Sequence, residues 1–482
     1  MVRAKTPART WGFFLDGSWV SEGETVEMRS PFDGSVVGTV FQAAATHAEV
    51  AVRAAQRAFE ITRKSAAYQR QQILRQISAG IQEHREEFAR LMALEAGKPL
   101  QAARIEVDRA VLTFSVAAEE ATRIGGEWLP LDLQPSAAGR AGIVRRFALG
   151  PILGITPFNF PLNLVSHKVA PAIAAGCPIV LKPAPQTPMC SLLLAEIVEQ
   201  TGLPAGAFNV LPLANTEAER LVADDRLKLL SFTGSVSVGW SLKAKAGKKK
   251  VVLELGGNAA VIVHSDAEVD DAARRCVQGG FSYAGQSCIS VQRILVQHKI
   301  ASRFVDLFVD GVKKLKVGDP LDEATEVGPM INEGAARRAD SWIAEATAGG
   351  AKVLCGGKRN GSILEPAVLT NTKPEMKVNC QEMFAPVVVV EIYRDFDEAI
   401  RRTNESPYGL QAGVFTRDAK LLFQAFEELE VGGVIAGDVS AFRMDSMPYG
   451  GIKDSGLGRE GLRYAIEEMT EPRLLVLNLA AP

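Results

Sequence analysis

A chain of 482 residues that is 47% hydrophobic and 23% charged, with 43 Gly and 24 Pro, holds apolar material for two large domains or three ordinary ones. Its 54 basic residues nearly balance 56 acidic ones, for a net charge of −2. That balance excludes a chain kept disordered by its own charge and a protein that coats polyanions.

The first residues, Met1 to Phe14, carry no apolar signal core and read as a short flexible tail. Thr46 with Glu49 is a capping-box signature. Val50, Ala54 and Ala58, then Ile73, Leu74, Ile77 and Ile81, follow at helical spacing, until Gly97-Lys98-Pro99 stops the pattern. A second helix is predicted through Glu106 to Ala121. From residue 143 short β-rich runs appear at Ile152–Thr156, Ile179–Leu181, Phe208–Leu211, Leu229–Phe232, Val251–Leu255 and Ala260–Val263. Helical segments separate most of them, at Leu162–Ala175, Cys190–Thr201, Thr216–Ala223 and Val236–Ala246. Strand and helix alternating at this pitch predict parallel βαβ units. Later strands at Ile294–Val296 and Pro386–Ile392, with helices at Ser302–Leu315 and Ala335–Ala348, keep the chain α/β throughout. No apolar stretch approaches the roughly 20 residues that cross a bilayer, so no membrane partner is expected.

Several strand ends carry reactive chemistry. Phe232-Thr-Gly-Ser-Val-Ser-Val-Gly239 leaves a strand, turns at Gly234 and enters a helix, which is either a plain turn or a phosphate-bearing contact. It is neither a P-loop, since Trp240 stands where Lys is needed, nor GxGxxG. Lys182 ends another strand, as a surface cation or a ribose or phosphate ligand. Cys288, in Gly285-Gln-Ser-Cys288, is a buried inert thiol or a nucleophile with a depressed pKa. Glu254 closes the apolar run Val251-Val-Leu-Glu254-Leu, as a salt-bridged edge residue or a general base of raised pKa. Asn159, between Pro157 and Pro161, is a helix cap or a fixed oxyanion donor. The six cysteines form no CxxC, which predicts reduced thiols and a cytoplasmic address. The five histidines make no ligand cluster, so no metal is expected. The basic run Lys243 to Lys250 reads as a solvated helix end, not a nucleic-acid patch.

Taken in order, Pro157-Phe-Asn-Phe-Pro161, Lys182-Pro-Ala-Pro-Gln-Thr-Pro188, Phe232-Thr-Gly-Ser235, Glu254-Leu-Gly-Gly-Asn258, Gly285-Gln-Ser-Cys288, Glu382-Met-Phe-Ala-Pro386 and Pro448-Tyr-Gly-Gly-Ile-Lys-Asp-Ser-Gly-Leu-Gly-Arg-Glu460 resemble the aldehyde dehydrogenase superfamily, from about Trp11 to Asn478. The resemblance implies a Rossmann-like doubly wound coenzyme domain at 1–126 and 147–254, and an α/β catalytic domain at 255–455. It also implies a small β oligomerisation extension with the C-terminal tail, at 127–146 and 456–482. It makes Cys288 the nucleophile toward an aldehyde, Asn159 an oxyanion donor, and Glu254 the base that hydrolyses the thioester, with Lys168 and Glu460 handling protons behind it. NAD+ or NADP+ would meet Ile155, Thr156, Lys182, Pro185, Gly234, Ser235, Gly239, Leu255, Glu382 and Phe384.

Two departures qualify the match. Pro185 stands where NAD-preferring members often have Glu, so NADP+ is expected to be tolerated, with Lys182 pairing its phosphate. Gly437 stands where Asn is common. The tunnel positions implied are Leu164, His167, Ile289, Arg443 and Tyr449, and Phe442-Arg-Met-Asp-Ser-Met-Pro-Tyr449 resembles the subgroup that handles small polar or anionic aldehydes such as lactaldehyde and semialdehydes. Arg443 is either a tunnel cation for an anionic tail or a surface ion pair with Asp438 or Asp445. The rival readings are a CoA-acylating semialdehyde dehydrogenase and a cofactor-independent cysteine hydrolase, for which His264 or His298 would be the base. Strands expected in Glu127–Arg146 and Leu474–Asn478 bury little alone, which predicts a homodimer or homotetramer.

Overall fold

Apolar runs bounded by Gly and Pro become strands buried on both faces, and they assemble into two large sheets whose ends meet. The computed structural model describes residues 9–479; most of the predicted N-terminal tail, residues 1–8, and the last three residues lie outside them.

In the first sheet five parallel strands stand in the spatial order Lys250–Glu254, Leu229–Thr233, Ile152–Ile155, Ile179–Lys182, Phe208–Val210. The chain enters at the middle strand and winds first to one side, then to the other. The order therefore reverses between Ile152–Ile155 and Leu229–Thr233, and ligands of open α/β sheets bind beyond the carboxyl ends at such a switch point. Antiparallel strands seal both edges: Gly456–Leu457 beside Lys250–Glu254, and the hairpin Phe13–Leu15/Ser18–Val20 beside Phe208–Val210. The second sheet runs Lys352–Cys355, Ala367–Thr370, Val387–Tyr393, Arg293–Gln297, Ala260–Val263, Gln411–Phe415, Gly433–Ala436, parallel except for its first pair. Only residues 255–259 separate the last parallel strand of the first sheet from Ala260–Val263 of the second. The carboxyl ends of one sheet consequently face the amino ends of the other, where the loops leading into Arg293 and Val387 lie.

A third, antiparallel sheet joins Thr470–Asn478, Arg140–Ala148 and Gly126–Pro130. Trp128, Leu474, Leu475 and Val476 on it are exposed. Within 456–482, Leu462, Ile466 and Met469 pack in the core of the first sheet, and the strand Thr470–Asn478 joins the third. A short helix with apolar positions three and four apart buries against the nearest large core, which here is the first.

The helical opening third also differs from its pattern. The predicted first helix is three, Ala45–Thr62, Ala67–Glu83 and Arg85–Ala96, and the last is stopped as expected by Gly97 at φ +67°. Thr46 is not the cap. The helix starts two residues earlier, and His47 Nδ1 accepts the Ala44 N–H at 3.0 Å, an imidazole doing what the Glu49 carboxylate was expected to do. Leu100–Ala121 follows, packed on Asn163–Ala175, every residue of which is buried. His167 and Lys168 are thereby carried into the interior, where a charge persists only with partners.

Candidate active site

The switch point gathers the residues predicted at strand ends. Ile155 pairs with Lys182 in register, and the Thr156 N–H donates to the Lys182 carbonyl at 3.2 Å. Lys182 is buried, so it is not a surface cation; its Nζ donates to Asn215 Oδ1 at 2.7 Å, and burial lowers its pKa to about 8. Pro185 is exposed nearby. Gly234 and Ser235 turn the chain into the helix Val236–Lys245, whose first N–H groups point outward from the strand end. Gly239 is required by packing: a Cβ there would come within 2.4 Å of Leu255 Cδ2.

The loop before Cys288 is strained. Tyr283, Ala284 and Gly285 are all left-handed, at φ +49°, +53° and +67°, and each of the two non-glycines costs about 1–2 kcal/mol. Close contacts hold the run: the Tyr283 hydroxyl donates to the Ala96 carbonyl at 2.8 Å, and a Cβ on Gly285 would lie 2.2 Å from the Ala385 carbonyl oxygen. The Gln286 side chain accepts the Ile331 N–H at 2.8 Å, while its backbone carbonyl accepts Asn159 Nδ2 at 3.0 Å. A carbonyl only accepts, so the Asn159 amide is fixed with its NH₂ toward the Cys288 loop and one hydrogen to spare. Asn159 Oδ1 is buried without a partner.

Cys288 Sγ lies 2.9 Å from the Tyr449 hydroxyl, and the residue keeps part of its surface open. The depressed thiol pKa expected from the turn is not what the structure gives. Burial pushes it up to about 11, against the Tyr449 hydrogen bond and Arg443, because the thiol sits among Ile289, Leu410 and Met447. Glu254 is not a salt-bridged edge residue. Both carboxylate oxygens are buried without a partner, and burial together with the nearby Glu460 raises its pKa well above the usual range. Gly450 makes the room, since a Cβ there would come within 3.1 Å of Glu254 Oε1.

Behind Glu254, Lys168 Nζ donates to Ser231 Oγ at 3.0 Å, Thr233 Oγ1 at 2.8 Å and Glu460 Oε1 at 3.3 Å. Burial disfavours the Glu460 charge, but Lys168 and Arg443 override it and bring the pKa down to about 2. Arg443 is buried and donates to Glu460 Oε2 at 3.0 Å, with its guanidinium 3.7 Å from the Tyr449 ring centroid. The ion-pair alternative holds only in part: Arg443 Nε is within ion-pair range of Asp445, at 3.9 Å, but both side chains are buried rather than at the surface, and Asp438 pairs with Arg275. Asp445 instead takes Arg109 through two bonds at 2.7 and 3.0 Å, Asn163 Nδ2 at 3.0 Å and His167 Nε2 at 2.8 Å. Burial and Arg443 lower the His167 pKa, so the ring is neutral. Its Nε2 faces both Asp445 Oδ1 at 2.8 Å and Arg443 Nη2 at 3.2 Å, and Nδ1 is left without a hydrogen-bond partner. Leu164 is buried in the same helix.

The cofactor residues fit a dinucleotide. Gly256 and Gly257 leave a cradle that the Glu382 carboxylate fills: Oε1 accepts the Gly257 N–H at 3.1 Å, and a Cβ on Gly256 would be 2.2 Å from Oε2. Burial raises the Glu382 pKa to about 7. Phe384 is left-handed at φ +46° and packs edge-on against Phe158, with centroids 5.9 Å apart. Arg338 steadies the segment by donating to the Met383 carbonyl at 2.7 Å. Acceptors for ribose, a buried ammonium and a helix start for phosphates, and aromatic walls together suit NAD(P)+.

Sequence reasoning missed Asn215, Arg109, Phe158 and the pair Lys98–Glu106. Lys98 Nζ is ion-paired with Glu106 and sits over the Phe160 and Tyr283 rings at 3.8 and 4.4 Å. Glu106 Oε1 accepts the N–H groups of Leu162 and Asn163 at 3.0 and 3.1 Å. One buried ion pair thus pins both the Asn159 loop and the strained Tyr283 turn. The signal was the glycine-lysine-proline stop itself, read only as punctuation. His264 and His298, considered as hydrolase bases, are engaged with Tyr393 and Gln297 at 3.0 Å each.

A family model described as the aldehyde dehydrogenase family matches residues 19–475. The chain is 44% identical over 475 residues to a 3-sulfolactaldehyde dehydrogenase of Priestia megaterium, covering 98% of this chain and 99% of that protein. It matches the crystal structure of aldehyde dehydrogenase 21 from Physcomitrella patens in complex with the reaction product succinate, with a TM-score of 0.97 and 44% identity over 98% of this chain and 99% of that one. The glyceraldehyde-3-phosphate dehydrogenase GapN from Methanocaldococcus jannaschii, complexed with NADP, gives a TM-score of 0.90 at 38% identity, over 94% and 98% of the two chains. With these matches along almost its whole length, and with Cys288, Asn159 and Glu254 assembled as described, the chain belongs to the aldehyde dehydrogenase family, NAD(P)-dependent oxidoreductases that act on aldehydes.

Proposed function

We propose that this enzyme oxidises a small anionic aldehyde to its carboxylic acid by way of a thioester on Cys288 that water hydrolyses. The observation that carries the hydrolytic reading is Glu254, a buried carboxylate with two unpartnered oxygens, reserved for a molecule that is not protein. Cys288 attacks the aldehyde carbon as thiolate, and the Asn159 amide with the Cys288 N–H holds the oxyanion. One such donor is worth about 3 kcal/mol in other enzymes. NAD(P)+, held by Lys182, Ser235, Glu382 and Phe384, supplies the hydride acceptor when bound. Glu254 then takes a proton from water, and Lys168 with Glu460 adjusts the charge behind it.

The anionic tail is supported by charge. In this lining Arg109, Arg443 and Lys168 gather with Asp445, Glu460 and Glu254, and burial disfavours the Glu254 charge. Arg443 Nε is an unpartnered donor within it. The sulfonate and succinate in the names of the relatives above fit such a lining. NADP+ is favoured by Lys182 beside Pro185, which offers no carboxylate to repel a 2′-phosphate. We further propose the domain roles given by the sequence, a cytoplasmic location for a chain whose six cysteines are free, and a homodimer or homotetramer built on the third sheet with its exposed Leu474, Leu475 and Val476.

The test is a turnover screen of short neutral, carboxylated, sulfonated and phosphorylated aldehydes with both cofactors, followed by the absorbance of the reduced nicotinamide. Anionic aldehydes are expected to lead without added CoA. A requirement for CoA refutes hydrolysis, and a preference for neutral aldehydes refutes the tail.

A further inference from the structure

Tyr449 is a tunnel wall in the reading above, yet its hydroxyl rather than its ring meets the nucleophile. Oη is 2.9 Å from Cys288 Sγ. The side chain is clamped on every side: it is 2% exposed, the Arg443 guanidinium covers its ring at 3.7 Å, and its N–H and C=O exchange hydrogen bonds with Glu460 at 3.1 and 2.6 Å. Arg443 in turn is fixed by Glu460. Such a hydroxyl has no freedom to turn elsewhere, and the sulfur it faces is packed among Ile289, Leu410 and Met447.

Between a neutral thiol and a neutral phenol either group can donate. Once the thiol has lost its proton the sulfur only accepts, and the contact becomes a charge-assisted bond, roughly twice as strong as a neutral one. Low-dielectric surroundings strengthen it further. The phenol keeps its own proton, since burial and Cys288 both oppose its ionisation.

We propose that Tyr449 is a catalytic residue whose hydroxyl donates to the Cys288 sulfur whenever that sulfur carries negative charge. This happens twice. On attack, the S–H proton leaves to solvent, a sulfur electron pair forms the C–S bond, and the carbonyl π pair moves to oxygen. On hydrolysis, the oxygen pair re-forms the carbonyl, the C–S bond breaks, and its electrons return to sulfur as thiolate. Between these events the sulfur is bonded to carbon and is a poor acceptor, so Tyr449 contributes to thiolate formation and thioester hydrolysis but not to hydride departure.

The proposal rests on the functional reading, but its first test does not. Iodoacetamide alkylation of Cys288 is followed against pH by mass spectrometry, for wild type and Tyr449→Phe, with no aldehyde or cofactor present. The Phe variant is expected to keep the ring under Arg443 and the thermal midpoint. Its alkylation profile should shift upward by about one pH unit, a tenfold slower reaction at any pH below the midpoint, as one unit of thiol pKa demands. Superimposed profiles, or a shift downward, overturn the proposal. The second test isolates hydrolysis: an acyl group placed on Cys288 by an activated ester, its loss followed by mass spectrometry, is expected to leave Tyr449→Phe more slowly than wild type, and equal rates overturn the second role. Should Phe loosen the fold, incorporation of a fluorotyrosine with a more acidic phenol gives the opposite displacement, alkylation moving to lower pH, and no movement refutes the idea. A wild-type protein that turns over no aldehyde with either cofactor defeats the functional reading while the alkylation shift still stands.

Discussion

Two buried clusters of charge flank the Asn159 loop, and they differ in how completely their atoms are used. Below the loop, Glu95 accepts the N–H groups of Met189 and Cys190 at 2.9 and 3.0 Å, and Glu106 caps Leu162 and Asn163 while holding Lys98. Above it lie Glu254, His167, Arg443, Lys168, Glu460 and Asp445. Among the described residues eleven buried side-chain atoms have no partner, and five of them are Asn159 Oδ1, His167 Nδ1, Arg443 Nε and the two oxygens of Glu254. Buried polar atoms left unpaired are expensive. Their concentration on one side of the loop separates a cluster that holds the fold from one that waits for substrate and water.

The sharpest way to break this distinction is Glu254→Gln. We expect kcat to fall by about 10²- to 10⁴-fold, the range of general-base catalysis, while the thermal midpoint holds or rises, since a buried group that is costly to ionise has gone. A lower midpoint with little kinetic change would place Glu254 with the structural cluster. Lys98→Met makes the converse test. It leaves Glu106 buried without its cation and should cost about 3–5 kcal/mol of stability in denaturant unfolding; an unaltered transition would show that the lower pair supports nothing.

Smaller effects sharpen the upper cluster. Arg443→Met is expected to lower kcat/KM for sulfonated or carboxylated aldehydes by about 10- to 100-fold more than for neutral short aldehydes, as loss of a charged hydrogen bond implies, beyond the loss common to both from freeing Tyr449 and Glu460. Equal losses on both classes would return Arg443 to a purely structural role. The mildest effect is one of pH. Lys182 carries its charge below about pH 8 because burial lowers its pKa, and above that pH the amine is neutral. kcat/KM for NADP+ should therefore fall as pH rises through 8, while that for NAD+ lacks this inflection. Parallel profiles would remove Lys182 from the phosphate.

Much of this arrangement was readable in the chain. Strand and helix positions from 152 to 263 match the structure to within a residue or two, because continuous apolar runs broken by Gly and Pro leave no competing register. Cys288, Glu254, Asn159 and Lys182 were likewise marked by their places at strand ends. What remained hidden is non-local. Arg109 reads as a solvent cation on a helix until Asp445 is brought to it, and Asn215 looks like an ordinary helix start until Lys182 points at it. His47 displaced Thr46 and Glu49 because capping depends on where the helix begins, a choice made by packing. The Cys288 thiol failed the simple rule for turns because burial beside Leu410 and Met447, both distant in sequence, outweighs the Tyr449 hydrogen bond.

One further consequence follows from the five-residue step between the two large sheets. Glu254 and Cys288 are tied across that step, since a Cβ on Gly257, just three residues after Glu254, would lie 2.6 Å from the Cys288 carbonyl oxygen. Lys182 stands three strands away from Glu254 on the first sheet, held by Asn215 at the start of the helix Asn215–Ala223. The Glu254–Cys288 spacing is therefore set within one short segment, whereas the distance from either residue to Lys182 depends on the width of the first sheet.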